Sequence, residues 1–270
     1  MASCMAENGL DGEVIGVILD GTGLGDDGTI WGGEFLVGGY GKFIRGGHFN
    51  PVRLPGGDAA VREPWRMALS YIHQSFGDKL WDMKPGFMPE LSGVEISAIK
   101  AMLERGINSP FTSSAGRIFD AVASILDVCN SNSFDGQAGM ALEAVAEESD
   151  DVDPLYFTLL PGEPFRIFLE PAIPELLRRV SSGEYSGRLA RAFHRCLAEA
   201  LLTGCLHLRK HTGLTRVVLS GGVLQNRLLT DMLYTRLVEN CFECYLHRLL
   251  PPNDGGISLG QAAIAARRIL

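Results

Sequence analysis

VIGVILDGTGLGDDGTIWGGEFLV, residues 14–37, is the stretch on which the reading of this chain turns. Val14, Ile15, Val17, Ile18 and Leu19 form a short apolar run of β-favouring residues that halts at Asp20. Gly21, Gly23, Gly25 and Gly28 follow, and glycine takes positive φ without steric cost. Ile30 to Val37 resumes the character of a strand, so the pattern predicts strand, glycine turn, strand. Asp20 and Thr22 then stand at the mouth of a tight turn whose N–H groups can cradle a phosphate or another oxyanion. The same pattern also describes an ordinary hairpin that binds nothing.

A second glycine turn lies near the other end of the chain. Arg216 to Leu219 reads as a buried strand, Ser220-Gly221-Gly222 turns it, and Asn226 to Val238 reads as a helix with Leu228, Leu229, Met232, Leu233 and Leu237 apolar. Strand, glycine pair and helix N-terminus together suit a nucleotide phosphate or ribose. Phe242 to Leu250 reads as a further strand. Pro251-Pro252-Asn253-Asp254-Gly255-Gly256 is a rigid turn that presents Asp254 at the start of a last helix, Ile257 to Leu270.

Between these ends, Gly38 to Phe49 reads as a third strand and Pro51 to Asp58 as a loop, which suggests an antiparallel portion of sheet. A helical region follows. Pro64 opens one helix, Ser92 and Glu95 form a capping box for another, Ser113-Ser114 cap the helix carrying Asp120, and Asp135 caps one with Gly136 at its entrance. Leu155 to Leu160 and Phe165 to Leu169 read as short strands, Ile173 to Val180 as a short helix, and Ser186 to His211 as a long helix ending at Gly213.

The 270 residues carry a net charge of −8, with 46% hydrophobic and 21% charged residues, and suffice for one large α/β domain or two smaller ones. The basic residues are scattered through helices, which disfavours free-standing nucleic-acid binding. No run approaches the ~18 apolar residues of a membrane span. The N-terminus lacks the pattern of an export signal, and six unevenly spaced cysteines suit a reducing cytoplasm without disulfides. The acidic run Glu147 to Asp153 reads as a solvated loop between two lobes.

Several side chains invite chemistry. Cys241-Phe242-Glu243-Cys244 is a lone C-x-x-C without the second pair a structural zinc site wants, and reads as the opening of a half-buried strand. His207 and His211 share a helix face but sit with Arg209 and Lys210 at a cationic helix end. His48, His73, His194 and His247 are isolated in sequence and read as core or surface residues. Asp20, Asp120 and Asp254 stand at glycine-bordered ends of elements or beside a helix entrance, where a carboxylate can hold a metal, a ribose hydroxyl or a proton. Each also reads singly as a turn or capping aspartate. With two glycine turns they describe a nucleotide cleft.

DGTGLGDDGTIWGGEFL (20–36), VREPWRMAL (61–69), GRIFDAVASIL (116–126), LSGGVLQNRLL (219–229) and PPNDGGISLGQA (251–262) resemble the C-terminal part of the HypF family, the carbamoyltransferases of NiFe-hydrogenase maturation. The resemblance covers nearly the whole chain. That region is similar to the TsaD-type tRNA threonylcarbamoyltransferases and the antibiotic O-carbamoyltransferases. It implies an α/β fold of the actin/Hsp70/sugar-kinase type, with ribonuclease-H-like lobes whose mixed sheets are flanked by helices. Residues 1–57 and 210–270 would form the sheet-bearing nucleotide lobe, and 58–209 a mainly helical part and connection.

Residue by residue, the resemblance implies that Asp20, Gly21, Thr22 and Gly23 surround the acyl-phosphate end of a carbamoyl-adenylate, Asp20 and Thr22 being catalytic. Asp120 and Gly136 would contact the ribose and adenosine, and Asn226, after Gly221 and Gly222, would complete the nucleotide pocket. Asp254 would be a ligand of a divalent metal, with Asp20 a further candidate. The implied reaction moves the carbamoyl group to the C-terminal cysteine of a HypE-like partner, giving a thiocarboxamide later dehydrated to cyanide. Metal polarisation and glycine N–H groups would assist as AMP leaves. The family's metal site also uses an H-x-x-x-H segment just ahead of the stretch beginning at Ala2. The expectation is therefore an incomplete fragment, without that segment and without the upstream acylphosphatase-like, zinc-finger and YrdC-like domains. The alternatives are an actin-fold kinase of a small-molecule acceptor and a non-catalytic fragment that docks on the partner. The threonylcarbamoyl branch fits less well, because an acidic chain suits tRNA poorly.

Overall fold

A computed structural model describes residues 1–83, 85–150 and 152–269. Strands are β1 (Val14–Leu24), β2 (Ile30–Gly38), β3 (Phe43–Phe49), β4 (Val52–Arg53), β5 (Phe111–Thr112), β6 (Thr158–Leu160), β7 (Phe165–Phe168), β8 (Arg216–Ser220) and β9 (Glu243–Tyr245). Helices are α1 (Ala2–Glu7), α2 (Asp58–Arg62), α3 (Pro64–Phe76), α4 (Leu80–Met83), α5 (Gly93–Arg105), α6 (Ala115–Ile125), α7 (Gln137–Glu147), α8 (Ala172–Ser181), α9 (Ser186–Thr212), α10 (Arg227–Glu239) and α11 (Ile257–Ile269). All the strands join one mixed sheet. Its main order is β6-β7-β3-β2-β1-β8-β9, with β5 pairing β2 and β4.

β1 is central because its sequence is apolar on both faces, the mark of a strand covered from both sides. Ile15, Val17 and Leu19 point into the main core with Phe35, Phe49 and Phe165, while Val14 joins Val218 in a second core with Cys4, Met5 and Leu10 of the α1 region. Phe35 and Phe165, both fully buried, meet with ring centroids 5.0 Å apart. Side chains of this size each stabilise the fold by about 1.5–3 kcal/mol. α1 and α11 pack together on the second core's face, and α6 and α9 cover the other.

β1 and β2 are antiparallel, as the glycine turn predicts, but β1 does not halt at Asp20. A bulge between Leu19 and Gly23 absorbs the break, and Gly23 pairs with Trp31 and Leu24 with Ile30. The reversal is at Gly25–Thr29, where Asp27 accepts from the Thr29 N–H and hydroxyl and from Trp31 Nε1. Those bonds and Arg45, against the cost of burial, hold the Asp27 carboxyl at about 2. Beneath the hairpin, Glu34 is buried with Arg45 Nε at 2.7 Å from its Oε2, and Ser113 donates to its other oxygen.

The strands within residues 58–209 belong to the same sheet as the hairpin, since β7 runs parallel to β3 and β5 pairs with β2. The strand after Cys241 is short: only Glu243–Tyr245 finds a partner, in Arg216–Val218, before the chain turns away toward Glu7. In the acidic run, Val152 is buried and its carbonyl accepts from Arg195, so that part is not wholly solvated; Asp151 lies outside the described residues, as does Leu270 of the last helix.

Candidate functional site

The parallel pairing of β1 with β8 ends at Ile18 and Ser220, where β8 stops at Ser220 and β1 runs on through Asp20. Gly221 follows with φ of +108°, and a Cβ there would lie 2.1 Å from the Leu19 carbonyl oxygen. Only glycine lets β8 cross the end of β1 so closely. Gly221 N–H donates to the Pro252 carbonyl at 2.8 Å, which draws the Pro251–Gly256 turn over the same strand ends.

Asp20 is half-buried there. Its Oδ1 accepts its neighbour Gly21's N–H at 2.7 Å, and Gly222 N–H is turned toward it. Burial raises the Asp20 carboxyl above its ordinary range, the facing charge of Asp254 raises it further, and the Gly21 and Gly222 amides and Arg117 oppose this. Asp254 is exposed, at the first position of a 3-10 turn, Asp254–Gly256, capped by the Asn253 side chain and continuing into α11.

α6 abuts the turn from the other side. Ser114, its N-cap, places its hydroxyl 2.8 Å from the Asp20 carbonyl oxygen and 2.7 Å from that of Gly21, and accepts the Arg117 N–H. A Cβ on Gly116 would lie 2.9 Å from Gly21 Cα, so the glycine permits this approach. Three helical N-termini, those of α6, the 3-10 turn Gly222–Gln225 and the Asp254 turn, therefore begin around one carboxylate. A helix N-terminus carries a partial positive charge, a setting that favours an oxyanion.

Of the residues singled out from sequence, Asp20, Gly21, Gly221, Gly222 and Asp254 come together. Thr22 follows on an exposed stretch of β1 and its hydroxyl makes no hydrogen bond among the described residues, while Gly23 is held in the ladder opposite Trp31. Asp120 lies deeper, 1% exposed, paired with Arg117 Nε at 2.7 Å and accepting from Asn132 at 3.3 Å. Burial lifts its carboxyl to about 6 against the pull of Arg117 and Asn132. Gly136, in the left-handed region at the N-cap of α7, is exposed and touches none of the others.

Asn226 is turned inward. Its Oδ1 caps α10 by accepting the Leu229 N–H at 2.8 Å, and its Nδ2 lies 3.1 Å from His194 Nε2. His194 is fully buried, with Nδ1 at 2.8 Å from the Ala190 carbonyl, and burial lowers it to about 4. The network assigns a neutral ring, donating from Nδ1 and accepting at Nε2.

Sequence reasoning missed three contributors. Arg117 links Asp120 to the Gly21 side of the turn: its Nη2 would stand 3.9 Å from a Cβ on Gly21. His194 and His247 are not isolated, for His247 lies between Ser220 and Glu7. The i, i+3 spacing of Arg117 and Asp120 on one helix was the available signal for the first; the partners of His247 are far away in sequence and gave none.

Asp20 and Asp254 offer two hard carboxylate oxygens across the glycine turn, with Asp254 free of any ion pair among the described residues, which is a donor set that fits a divalent cation. The one tight cluster of three potential ligands among the described residues lies elsewhere, at His73, Asp78 and Glu104 on the surface. Lys100 approaches both its carboxylates, at 3.9 and 3.4 Å, and already supplies a cation. Two shallow hollows of about 360 and 510 Å³ are lined by other residues.

Residues 16–261 match the family model described as carbamoyltransferase, Kae1-like domain, second subdomain. Carbamoyltransferase HypF2 of Cupriavidus necator is 35% identical over 297 residues, covering 99% of this chain and 35% of the relative. A carbamoyltransferase HypF homolog of the same organism is 37% identical over 276 residues, covering 99% of this chain and 69% of the relative. The chain thus spans about a third of the first relative and about two thirds of the second. A crystal structure of full-length HypF in a phosphate- and nucleotide-bound form superimposes with a TM-score of 0.92 at 36% identity, over 99% of this chain and 41% of that one.

Proposed function

Because the chain belongs to the HypF family of carbamoyltransferases, we propose that its strand-end site receives a carbamoyl-adenylate and passes the carbamoyl group to a cysteine thiol. The acceptor would be the C-terminal cysteine of a HypE-like partner in NiFe-hydrogenase maturation. The observation that carries this reading is the convergence of Asp20, the Gly222 N–H and Asp254 where β8 ends beside β1, with helix N-termini around them. An acyl phosphate is an oxyanion next to an electrophilic carbon, and this arrangement suits both parts.

In the proposed reaction the cysteine thiol gives up its proton as its sulfur bonds to the carbamoyl carbon, the bond from that carbon to the phosphate oxygen breaks, and AMP leaves with the electron pair. The glycines of the Gly21 and Gly222 turns leave room for the phosphate against the backbone, and the exposed Thr22 hydroxyl orients the carbamoyl oxygen. Arg117, backed by Asp120, places positive charge beside the Gly21 turn. Gly136 leaves the entrance of α7 open for the adenosine side. Asn226 acts by fixing the helix start behind the Gly221–Gly222 turn. Asp20 and Asp254 would hold a divalent cation, which supplies Lewis-acid polarisation when bound. A reducing cytoplasm suits the reading, as all six cysteines are free, and no helix among the described residues is long and apolar enough to cross a membrane.

Calorimetric titration of AMP with Mg²⁺ tests it. Saturable binding is expected, weakened when Gly222→Ala puts a methyl group 3.3 Å from Asp20 Oδ1. Binding that ignores Gly222→Ala and Asp254→Asn alike would place the nucleotide elsewhere and defeat the assignment.

A further inference from the structure

Ser220 pairs in register with Ile18, two residues before Asp20 on the same face of the sheet. Its Oγ lies 3.0 Å from His247 Nε2, and His247 Nδ1 lies 3.0 Å from Glu7 Oε2. The three residues come from β8, the segment after β9, and α1, and the His247 and Glu7 side chains are 3% and 5% exposed. The other carboxylate oxygen of Glu7 accepts the backbone N–H groups of Arg248, at 2.6 Å, and Leu249. Burial acts to raise Glu7, and these bonds with that from His247 outweigh it, keeping the carboxylate charged.

A fixed carboxylate orients the ring. His247 donates from Nδ1 to Glu7, so Nε2 is left as an acceptor and the Ser220 hydroxyl donates to it. Hydroxyl, base and orienting acid in hydrogen-bond sequence are the pattern of an activated hydroxyl. Gly221 N–H, the amide next to Ser220, is already committed to Pro252, so it is not free to stabilise an acyl-serine oxyanion. The chain of bonds therefore suits proton movement rather than covalent capture.

Resting on the carbamoyl-transfer reading, we propose that Ser220, His247 and Glu7 form a proton relay leading out of the Asp20–Asp254 site. As the acceptor sulfur bonds to the carbamoyl carbon and AMP departs with the electron pair, the thiol proton passes to Ser220 Oγ. The hydroxyl's own proton moves to His247 Nε2, and Glu7 balances the imidazolium. Glu7 on α1 and Ser220 on β8 face the ring, Arg248 adjoins it in the chain, and beyond Glu7 lies the Cys4 thiol, which burial raises to about 11 and so keeps neutral.

Two measurements test the relay. The first follows carbamoyl transfer from carbamoyl-adenylate to a cysteine-ended peptide by mass spectrometry as a function of pH. The parent rate should show a pH-dependent limb, which Ser220→Ala and His247→Gln abolish with a loss of roughly 100-fold, while AMP affinity is kept and Ser220→Thr restores the limb. A merely structural clasp would not move the pH profile. Variants that bind AMP and keep the limb overturn the relay alone; a parent that transfers nothing overturns the reading above and the relay with it. The second is the ¹⁵N spectrum of His247 in the parent at neutral pH. A proton on Nδ1 and none on Nε2 is required, and the opposite tautomer overturns the relay whatever the variants do.

Discussion

Arg117 and Asp120 form an ion pair one turn apart on α6, at 2.7 Å, with both side chains almost wholly removed from solvent. The pair stands between the core and the Gly21 turn, so it transmits the position of α6 to the site. Arg117→Met should leave a buried carboxyl without its partner and cost about 3–5 kcal/mol of stability. Adding Asp120→Asn to that variant should recover part of the loss. Urea unfolding of the two variants checks both expectations, and an Arg117→Met protein as stable as the parent would show that the pair is dispensable.

Gly221 and Gly222 are adjacent but not equivalent. Gly221→Ala forces a side chain into the left-handed region with its Cβ 2.1 Å from the Leu19 carbonyl, and should cost more than ~3 kcal/mol or prevent folding. Gly222→Ala meets the end of the Asp20 side chain at 3.3 Å and Asn253 Cβ at an ordinary 3.8 Å, and should change the unfolding midpoint little. Thermal melts of the two proteins give the comparison.

Asn226→Ala removes a helix cap and leaves His194 Nε2 without its donor. A loss of about 1–2 kcal/mol is expected from the cap, with a further contribution from the unsatisfied ring. Asn226→Asp keeps the acceptor and should be milder for the cap. Because the side chain faces inward, the AMP affinity of the folded fraction should fall far less than with Gly222→Ala; calorimetry on the same samples separates stability from binding.

His194 and Asp120 make stability respond to pH in opposite senses. His194 falls from 6.5 to about 4 on folding, so the unfolded chain binds the extra proton between those values and stability is lost as pH drops through that window. Asp120 rises from 3.8 to about 6, so the folded chain holds the extra proton there and stability is lost as pH rises. Between pH 4 and 6 the two offset each other. Asp120→Asn should therefore make stability climb more steeply with pH than in the parent over that range, and His194→Gln should make it climb less steeply. Urea midpoints at several pH values read the difference.

Asp254→Asn removes the charge that faces Asp20. The Asp20 carboxyl should titrate lower, because one of the two effects raising it has gone, and Mg²⁺ affinity should fall. Carboxyl ¹³C shifts and a cation titration measure the two consequences separately. Unchanged Mg²⁺ retention would mean that the cation is held by other groups.

Much of the fold was legible because local chemistry decided it. Ser92 with Glu95, Ser114 and Gly213 mark helix ends by capping, and the glycine turn after β1 does produce an antiparallel pair. The grouping of Asp20 with the Gly221–Gly222 turn could be anticipated because two strand ends with glycines demand a common edge. Periodicity says nothing of the bulge that carries β1 past Asp20, nor that β7 would join the hairpin's sheet, since both depend on a distant partner strand. Asn226 illustrates the remaining ambiguity: a capping asparagine and a ligand asparagine have the same sequence signature, and only the buried His194 opposite decides which way the amide points.

The sheet's central pairing, Ile15–Ile18 against Val217–Ser220, brings together segments about two hundred residues apart, and Glu7 meets His247 across an even longer interval. Contacts of such range form late, after the entropic cost of closing the chain has been met. During synthesis Asp20 leaves the ribosome long before Gly222 and Asp254 exist. The site that gathers Asp20, Gly222 and Asp254 therefore cannot assemble until all three segments have been made. Synthesis of residues 216–256 is the event that gives the glycine hairpin its partners, and a product broken off before residue 216 would retain the hairpin's sequence without the residues that gather around Asp20.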